Sequence, residues 1–324
     1  MKGKAMLKKQ YVTVATVMII SACSGRGLTD KSSMAPQQLG EITGRGNHGA
    51  YAAIDESIDF NTLYLPYTNN DGTEKWPVVL WGNGGCRDNG LKYSHFLREI
   101  ASHGYFVVAS GRPRYERRFG KLTESEYKAS YERESDIPQT SLDTLTAAID
   151  WMAEENNTPG SFYYQKLDLD NIAVMGASCG GLQAIAVLTN PKVSTGIIYN
   201  SGVLSAPPPA YINNNVSLYV NKSQLAMLNG PVAYINGGEA DIAYPNALDD
   251  LKRISHVPVF FAENGVGHGG TYRDDAYGGE YAQIAVHWLN WQFKGDDSAA
   301  KWFVGDDCVL CTDENWRVIQ KNIN

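Results

Sequence analysis

One serine between small residues constrains this chain most. In Met175-Gly176-Ala177-Ser178-Cys179-Gly180-Gly181, residues Gly176, Ser178 and Gly180 fill a G-x-S-x-G frame. The apolar run Asn171-Ile-Ala-Val-Met175 enters it, and the equally apolar Leu182-Gln-Ala-Ile-Ala-Val-Leu188 leaves it. The first run reads as a strand and the second as a helix, which puts the serine on a sharp strand-to-helix turn. Such a turn strains the backbone at the serine and lifts its hydroxyl off the sheet. Strand and helix then pass so close that only small flanking residues fit. A bare G-x-S-x-G also arises by chance in a chain with 32 glycines, so the frame needs partners to mean catalysis.

Serine chemistry requires a base to take the hydroxyl proton and a carboxylate to orient that base. Downstream, the apolar run Val232-Ala-Tyr-Ile235 opens into Asn236-Gly-Gly-Glu239-Ala-Asp241-Ile-Ala-Tyr-Pro245. Asp241, on a glycine-rich loop past a strand end, is the candidate carboxylate, and Glu239 is its rival. Asp249 and Asp250 fall inside the following helix and read as solvated surface charges. The strand Val257-Pro-Val-Phe-Phe-Ala262 then runs into Glu263-Asn-Gly-Val-Gly-His268-Gly-Gly. His268, flanked by glycines on another strand-end loop, is the candidate base. The remaining histidines fit worse: His48 falls in a tether, His95, His103 and His256 before a strand or on helices, and His287 within the last helix. An oxyanion hole needs two main-chain N–H groups. One belongs to Cys179. The other belongs to the loop Trp81-Gly82-Asn83-Gly84-Gly85-Cys86, with Asn83 the first choice and Gly84 the second.

At 324 residues the chain is long enough for one large domain with a sizeable core, and its 43% hydrophobic and 19% charged side chains are those of a globular protein. The first residues differ. Lys2, Lys4, Lys8 and Lys9 precede an apolar stretch, Tyr11 to Ile20, too short to span a bilayer and suited to a signal peptide, residues 1–22. Residues 23–48 are rich in Gly, Ser, Gln and Thr and read as a flexible tether. Without residues 1–22, 24 basic side chains face 35 acidic ones, a net −11. That balance, with no basic patch, argues against nucleic acid as a partner and favours solubility.

Residues 49–324 alternate strand and helix without repeats, which predicts an α/β class domain: a mostly parallel, twisted sheet with helices on both faces. Ile58 to Leu65, Trp76 to Trp81, Tyr105 to Ala109 and Thr195 to Tyr199 are further strands. Leu91 to Ser102, Thr140 to Ala153 and Glu280 to Phe293 are helices. Residues 111–140, carrying Arg112, Arg114, Arg117, Arg118 and Lys121, form an insertion after a strand, where binding loops usually sit. A solvated helical excursion is the reading preferred there over a partial lid. Residues 301–324 form a tail without an assigned role.

These residues together resemble the α/β-hydrolase superfamily, and within it the dienelactone-hydrolase and cutinase-like polyester-hydrolase branch. The resemblance runs from about Pro77 to Phe293. It rests on the oxyanion loop Pro77 to Gly85, the segment Leu97 to Ala109 with His103-Gly104-Tyr105, the elbow Ile172 to Gly181, and the acid loop Gly238-Glu-Ala-Asp241 with Pro245. Trp81 stands where many members carry His, and Cys179 follows the nucleophile where Met or Gln is usual, which bears on pocket shape. Likewise Ile20-Ser21-Ala22-Cys23 resembles a bacterial lipobox. It implies lipidation of Cys23, and Ser24 after it implies the outer membrane or cell surface rather than inner-membrane retention. Plain secretion or a periplasmic location is the alternative.

Four cysteines remain beyond Cys23. Cys308 and Cys311 form a C-x-x-C without a second ligand pair for zinc, so a local disulfide is expected. Cys86 and Cys179 each lie beside an expected oxyanion donor. The fold should bring them together, either as a disulfide or as two buried thiols. The resulting expectation is a monomeric serine esterase using Ser178, Asp241 and His268 through an acyl-enzyme, with no metal and no organic cofactor. Its substrate would be a small-molecule or polymeric ester (carbohydrate, aryl or polyester) met outside the cytoplasm, and its only membrane contact the N-terminal lipid. A peptidase or other acyl hydrolase on the same fold, or a non-catalytic binding module, are the alternatives.

Overall fold

The computed structural model describes residues 35–68, 74–116, 123–206 and 220–323. The expected leader, Cys23 and the first part of the expected tether, up to residue 34, lie outside the described residues.

Unbroken apolar runs form the centre of a sheet because both faces are covered. Four such runs are β4 (Trp76–Gly82), β5 (Phe106–Ser110), β7 (Thr195–Tyr199) and β8 (Val232–Asn236), every residue of which is buried. β6 (Leu167–Ala177) and β9 (Val259–Glu263) complete the parallel set. β1 (Gln37–Thr43), β2 (Ala50–Ile54) and β3 (Asn61–Pro66) lead into one side of it, and β10 (Arg317–Lys321) closes the other. The ten strands run in the order β1-β2-β3-β5-β4-β6-β7-β8-β9-β10. Pairing is parallel from β5 through β4 to β9 and antiparallel at β1/β2, β2/β3, β3/β5 and β9/β10.

Alternation along β4 sorts the two faces. Val78 and Leu80 join the core beneath α3 (Asp143–Asn157), α4 (Cys179–Val187) and α5 (Tyr244–Arg253), through Leu145, Met152, Ile185 and Ala247. Val79 and Trp81 join the core beneath α1 (Ser94–Ser102) and α6 (Gly279–Lys294), through Phe96, Leu97, Trp288 and Leu289. Helices therefore cover both faces, as the alternating pattern predicts. No helix among the described residues is long and apolar enough to cross a membrane.

One sequence expectation is corrected and two segments gain a place. Residues 37–43, read as tether, are the edge strand β1. Its residues are mostly exposed and polar, so no apolar period marks it. β2, whose Ala50, Ala52 and Ala53 are fully buried, was not anticipated either. The tail is part of the sheet and the core. β10 pairs with β9 from Arg317↔Glu263 to Lys321↔Val259, and Phe303 is fully buried against Phe260, Trp288 and Trp291. The short helices α7 (Asp297–Ala300) and α8 (Val309–Thr312) carry the chain there, the second stapled by the Cys308–Cys311 disulfide.

Within the insertion, α2 (Glu124–Ser135) starts at a Thr123–Glu126 capping box and is exposed along nearly its whole length. It is polar on every side, as a solvated excursion should be. An ion pair from Lys92 to Glu134 and a hydrogen bond from the Arg87 guanidinium to the Ile137 carbonyl hold its end to the domain.

Because Phe303 fills a closed aromatic site, Phe303→Ala is expected to cost about 3–5 kcal/mol of unfolding free energy. Urea denaturation monitored by tryptophan fluorescence measures it. A loss below about 1 kcal/mol would mean that the tail does not belong to the core.

Candidate active site

Three glycines allow the turn around Ser178 to form. β6 runs beside β4 with Gly176 opposite Gly82, and α4 departs directly above both. A Cβ on Gly176 would lie 2.2 Å from the Gly180 carbonyl oxygen, and one on Gly180 would lie 2.0 Å from that of Gly82. No side chain survives such distances, so the backbones touch directly. Ser178 is left at φ +52° and ψ −117°, a conformation that L-residues rarely adopt and that surrounding structure must enforce. Its N–H donates to the Tyr199 carbonyl at 2.9 Å, and Ser201 Oγ donates to its carbonyl at 2.7 Å.

The loops after β8 and β9 deliver the other two groups. His268 Nε2 lies 3.0 Å from Ser178 Oγ, and His268 Nδ1 lies 2.6 Å from Asp241 Oδ1. The structure thus brings together the three side chains singled out from the sequence. Glycine at 237 is again a steric requirement: a Cβ there would sit 1.9 Å from the Gly267 carbonyl oxygen, where the two loops cross. Glu239, the rival acid, is exposed and takes no part in this chain of hydrogen bonds. His48, His103 and His256 bond to Thr68, Glu99 and the Leu228 carbonyl, while His287 stacks on Trp302.

Asp241 is almost completely buried. Burial alone would push its carboxyl up. The hydrogen bonds from His268, the Ala243 N–H and the Asn200 amide outweigh that and hold it below the ordinary carboxylate range. Asp241 is therefore an anion at neutral pH, able to orient an imidazole and stabilise its charged form.

Asn200 was missed by sequence reasoning. It sits at the end of β7 with φ +44°, a conformation asparagine tolerates better than most residues. Its Nδ2 donates to Asp241 Oδ2 at 2.8 Å and to the Gly267 carbonyl at 3.1 Å, while its Oδ1 accepts from Tyr272 OH at 2.7 Å. The only available signal was a polar residue directly after a buried strand on the catalytic edge. Asp250 is also corrected: it is fully buried, paired with Lys222 Nζ at 2.5 Å and bonded to the Val203 N–H, not a solvated surface charge.

The expected oxyanion donors divide. Cys179 heads α4, where the first N–H groups of a helix have no partner within it. The first-choice Asn83 N–H is turned toward Ser110 Oγ, 3.4 Å away. The cause is the Asn83 side chain, whose Nδ2 donates to the carbonyls of Arg87, Asn89 and Ser110 and whose Oδ1 accepts from Trp81 Nε1. Asn83 thus ties the loop together. The N–H groups of Gly84 and Gly85, heading the 3-10 turn Gly84–Cys86, have no hydrogen-bond partner among the described residues. Lys92 Nζ fixes the same loop by donating to the Gly84 carbonyl at 3.2 Å. Cys86 and Cys179 are joined in a disulfide with Cα atoms 5.2 Å apart. Two disulfides fit an oxidising, extracytoplasmic setting.

The site opens to solvent: the His268 side chain is 26% exposed. Exposed Ile242 and Val266 flank the acid and base loops. Along the same edge, Asn61 pairs with Ser110 of β5, next to Gly82 of β4 and Gly176 of β6. Three strand spacings of about 4.8 Å put Asn61 roughly 15 Å from the elbow. A cavity of about 510 Å³ that includes Asn61 is lined by Phe60, Trp151, Ile58 and Ala147, with Asp59 and Asp143 among its polar groups.

No protein-family model matches the chain, and no curated protein matches it.

Asn200→Asp places a second carboxylate against Asp241. Like charges raise the pH at which the pair takes up a proton. In the wild type the depressed carboxyl contributes stability above its unfolded pKa and loses it as pH falls through the folded value. The substitution should move that acid loss to higher pH. Thermal unfolding against pH tests it; an unchanged acid limb would remove Asn200 from the site.

Proposed function

We propose that this chain is a serine esterase of the α/β-hydrolase fold. One observation carries the reading: the unbroken relay from Asp241 through His268 to a hydroxyl held on a strained turn, at 2.6 and 3.0 Å. The strand order supports the fold assignment, because the parallel set and its antiparallel β3 present nucleophile, acid and base in that chain order at the carboxyl ends of β6, β8 and β9.

In the proposed mechanism Ser178 Oγ attacks the ester carbonyl while His268 Nε2 takes its proton. Asp241 holds Nδ1–H and stabilises the imidazolium. The N–H groups of Cys179 and Gly84 stabilise the tetrahedral oxyanion. His268 passes its proton to the departing alcohol, then activates a water that releases the acid from Ser178. Every proton is carried by this chain's own residues.

The open site, its flanking apolar side chains and the cleft along the same edge support an ester with a bulky acyl or alcohol part: a carbohydrate, aryl or polymer ester. Residues 1–23 and the two disulfides support an exported protein carrying a lipid on Cys23, with the domain facing outward from the outer membrane.

Ser178→Ala should abolish labelling by a fluorophosphonate probe and lower turnover of p-nitrophenyl esters by about 10⁴-fold or more, with the folded state retained. Near-wild-type turnover in that variant ends the reading. Trp151→Ala should raise KM for feruloyl or acetyl-sugar esters several-fold and leave p-nitrophenyl acetate unaffected. Equal KM for both substrate sizes would detach the cleft from the site.

A further inference from the structure

We infer that the Cys86–Cys179 disulfide is a positioning element of the oxyanion site, so that only the oxidised chain has its two N–H donors in register. The inference rests on the esterase reading above. It starts from where the bond lies. Cys179 directly follows the nucleophile and supplies the first N–H of α4. Cys86 closes the 3-10 turn that begins at Gly84, its N–H donating to the Asn83 carbonyl at 2.8 Å. One covalent link therefore spans the two segments whose separation sets the oxyanion geometry, with Cα atoms 5.2 Å apart.

Besides it, the turn and α4 are tied only non-covalently: Thr140 donates to the Cys86 carbonyl and accepts from the Gln183 amide of α4. The close approach of strand and helix requires glycine at 82, 176 and 180, and the turn adds Gly84 and Gly85. Those positions have no side chains to interlock. The two sulfurs form a small buried cluster of their own, apart from both large apolar cores. Cys86 is also held at φ +50°, in the left-handed region that non-glycine residues avoid. Such a conformation persists only where neighbours enforce it. With the bond cut, only hydrogen bonds to Asn83 and Thr140 resist a return of Cys86 to an ordinary conformation, which would carry Gly84 and Gly85 with it. A preorganised donor contributes only if it needs no rearrangement as charge develops. The bond should therefore act on the transition state and leave ground-state binding alone.

The test uses the full chain carrying Cys308→Ser and Cys311→Ser, so that one disulfide of the domain responds. Dithiothreitol supplies two electrons, the S–S bond becomes two thiols, and the reagent leaves as its cyclic disulfide. At a temperature where circular dichroism shows both forms folded, reduction should lower kcat for a p-nitrophenyl ester about 10- to 100-fold. KM should stay within about twofold, and reoxidation should restore the rate. Affinity for a phenylboronic acid, whose adduct with Ser178 places an oxygen in the oxyanion site, should fall with kcat. Cys86→Ser with Cys179→Ser should show the same loss without response to reductant. Unchanged kcat in the folded reduced chain, or a loss that only tracks the unfolded fraction, overturns the inference. An oxidised parent that neither turns over esters nor labels at Ser178 instead overturns the esterase reading, and this inference falls with it.

Discussion

The structure turns on a contact between two backbones. At Gly82, Gly176 and Gly180, β4, β6 and α4 approach until carbonyl oxygens occupy the space a Cβ would need. This proximity forces the chain to leave β6 abruptly, and the abruptness puts Ser178 at φ +52° with its hydroxyl clear of the sheet. It also leaves the N-terminus of α4 open beside the serine, so one steric constraint exposes both the Ser178 hydroxyl and unpartnered main-chain N–H groups. The remaining site residues come to that point. His268 and Asp241 arrive on loops that cross at Gly237 and Gly267.

Two buried aspartates show how environment decides a role. Asp241 loses solvent but gains four hydrogen-bond donors, His268 among them, and its carboxyl ends below the ordinary range. Asp250, on α5, loses solvent completely, and burial pushes it up to about 6 against the pull of Lys222, the Val203 N–H and Tyr234 OH. The signs are opposite. Asp241 contributes stability that is present at neutral pH and lost in acid. The stability associated with Asp250 is present below its unfolded pKa and lost as pH rises through about 6. The carboxylate that orients His268 therefore lies where main-chain and amide donors converge, and the one on α5 ties Lys222, Val203 and Tyr234 together.

Much of this was legible because apolar period and glycine spacing report directly on buried strands and tight turns. β4 to β9, α1, α3, α6 and all three proton-relay residues lie in segments with that signal. The edges do not. β1 (Gln-Gln-Leu-Gly-Glu-Ile-Thr) and β10 (Arg-Val-Ile-Gln-Lys) are polar and largely exposed, as edge strands must be to discourage pairing with another chain. The feature that protects them also hides them. Asn200 and the commitment of the Asn83 amide were hidden for another reason: both depend on which neighbour a polar group finds after folding, which no local pattern encodes. The Cys86–Cys179 pair lay between these cases, because each cysteine adjoins an expected donor and only the fold decides whether they meet.

The row Asn61, Ser110, Gly82, Gly176 runs from the cavity to the serine turn. In a parallel sheet the carboxyl ends of neighbouring strands lie along one line, so a substrate held at one point of that edge is held at a fixed distance from every other. Ser110 sits in the middle of the row, with its Oγ taking the Asn83 N–H and its carbonyl taking the Asn83 amide. Arg112, just beyond it, bonds to Asp88 in the loop after the oxyanion turn and to Asp59 in the cleft, and lies 3.9 Å from the centre of the Phe60 ring. The cleft and the oxyanion turn thus share rigid neighbours rather than a flexible linker. On the proposed esterase reading, binding energy gained at Phe60 would be transmitted as position at Ser178, the form in which remote binding lowers a barrier instead of merely tightening the ground state.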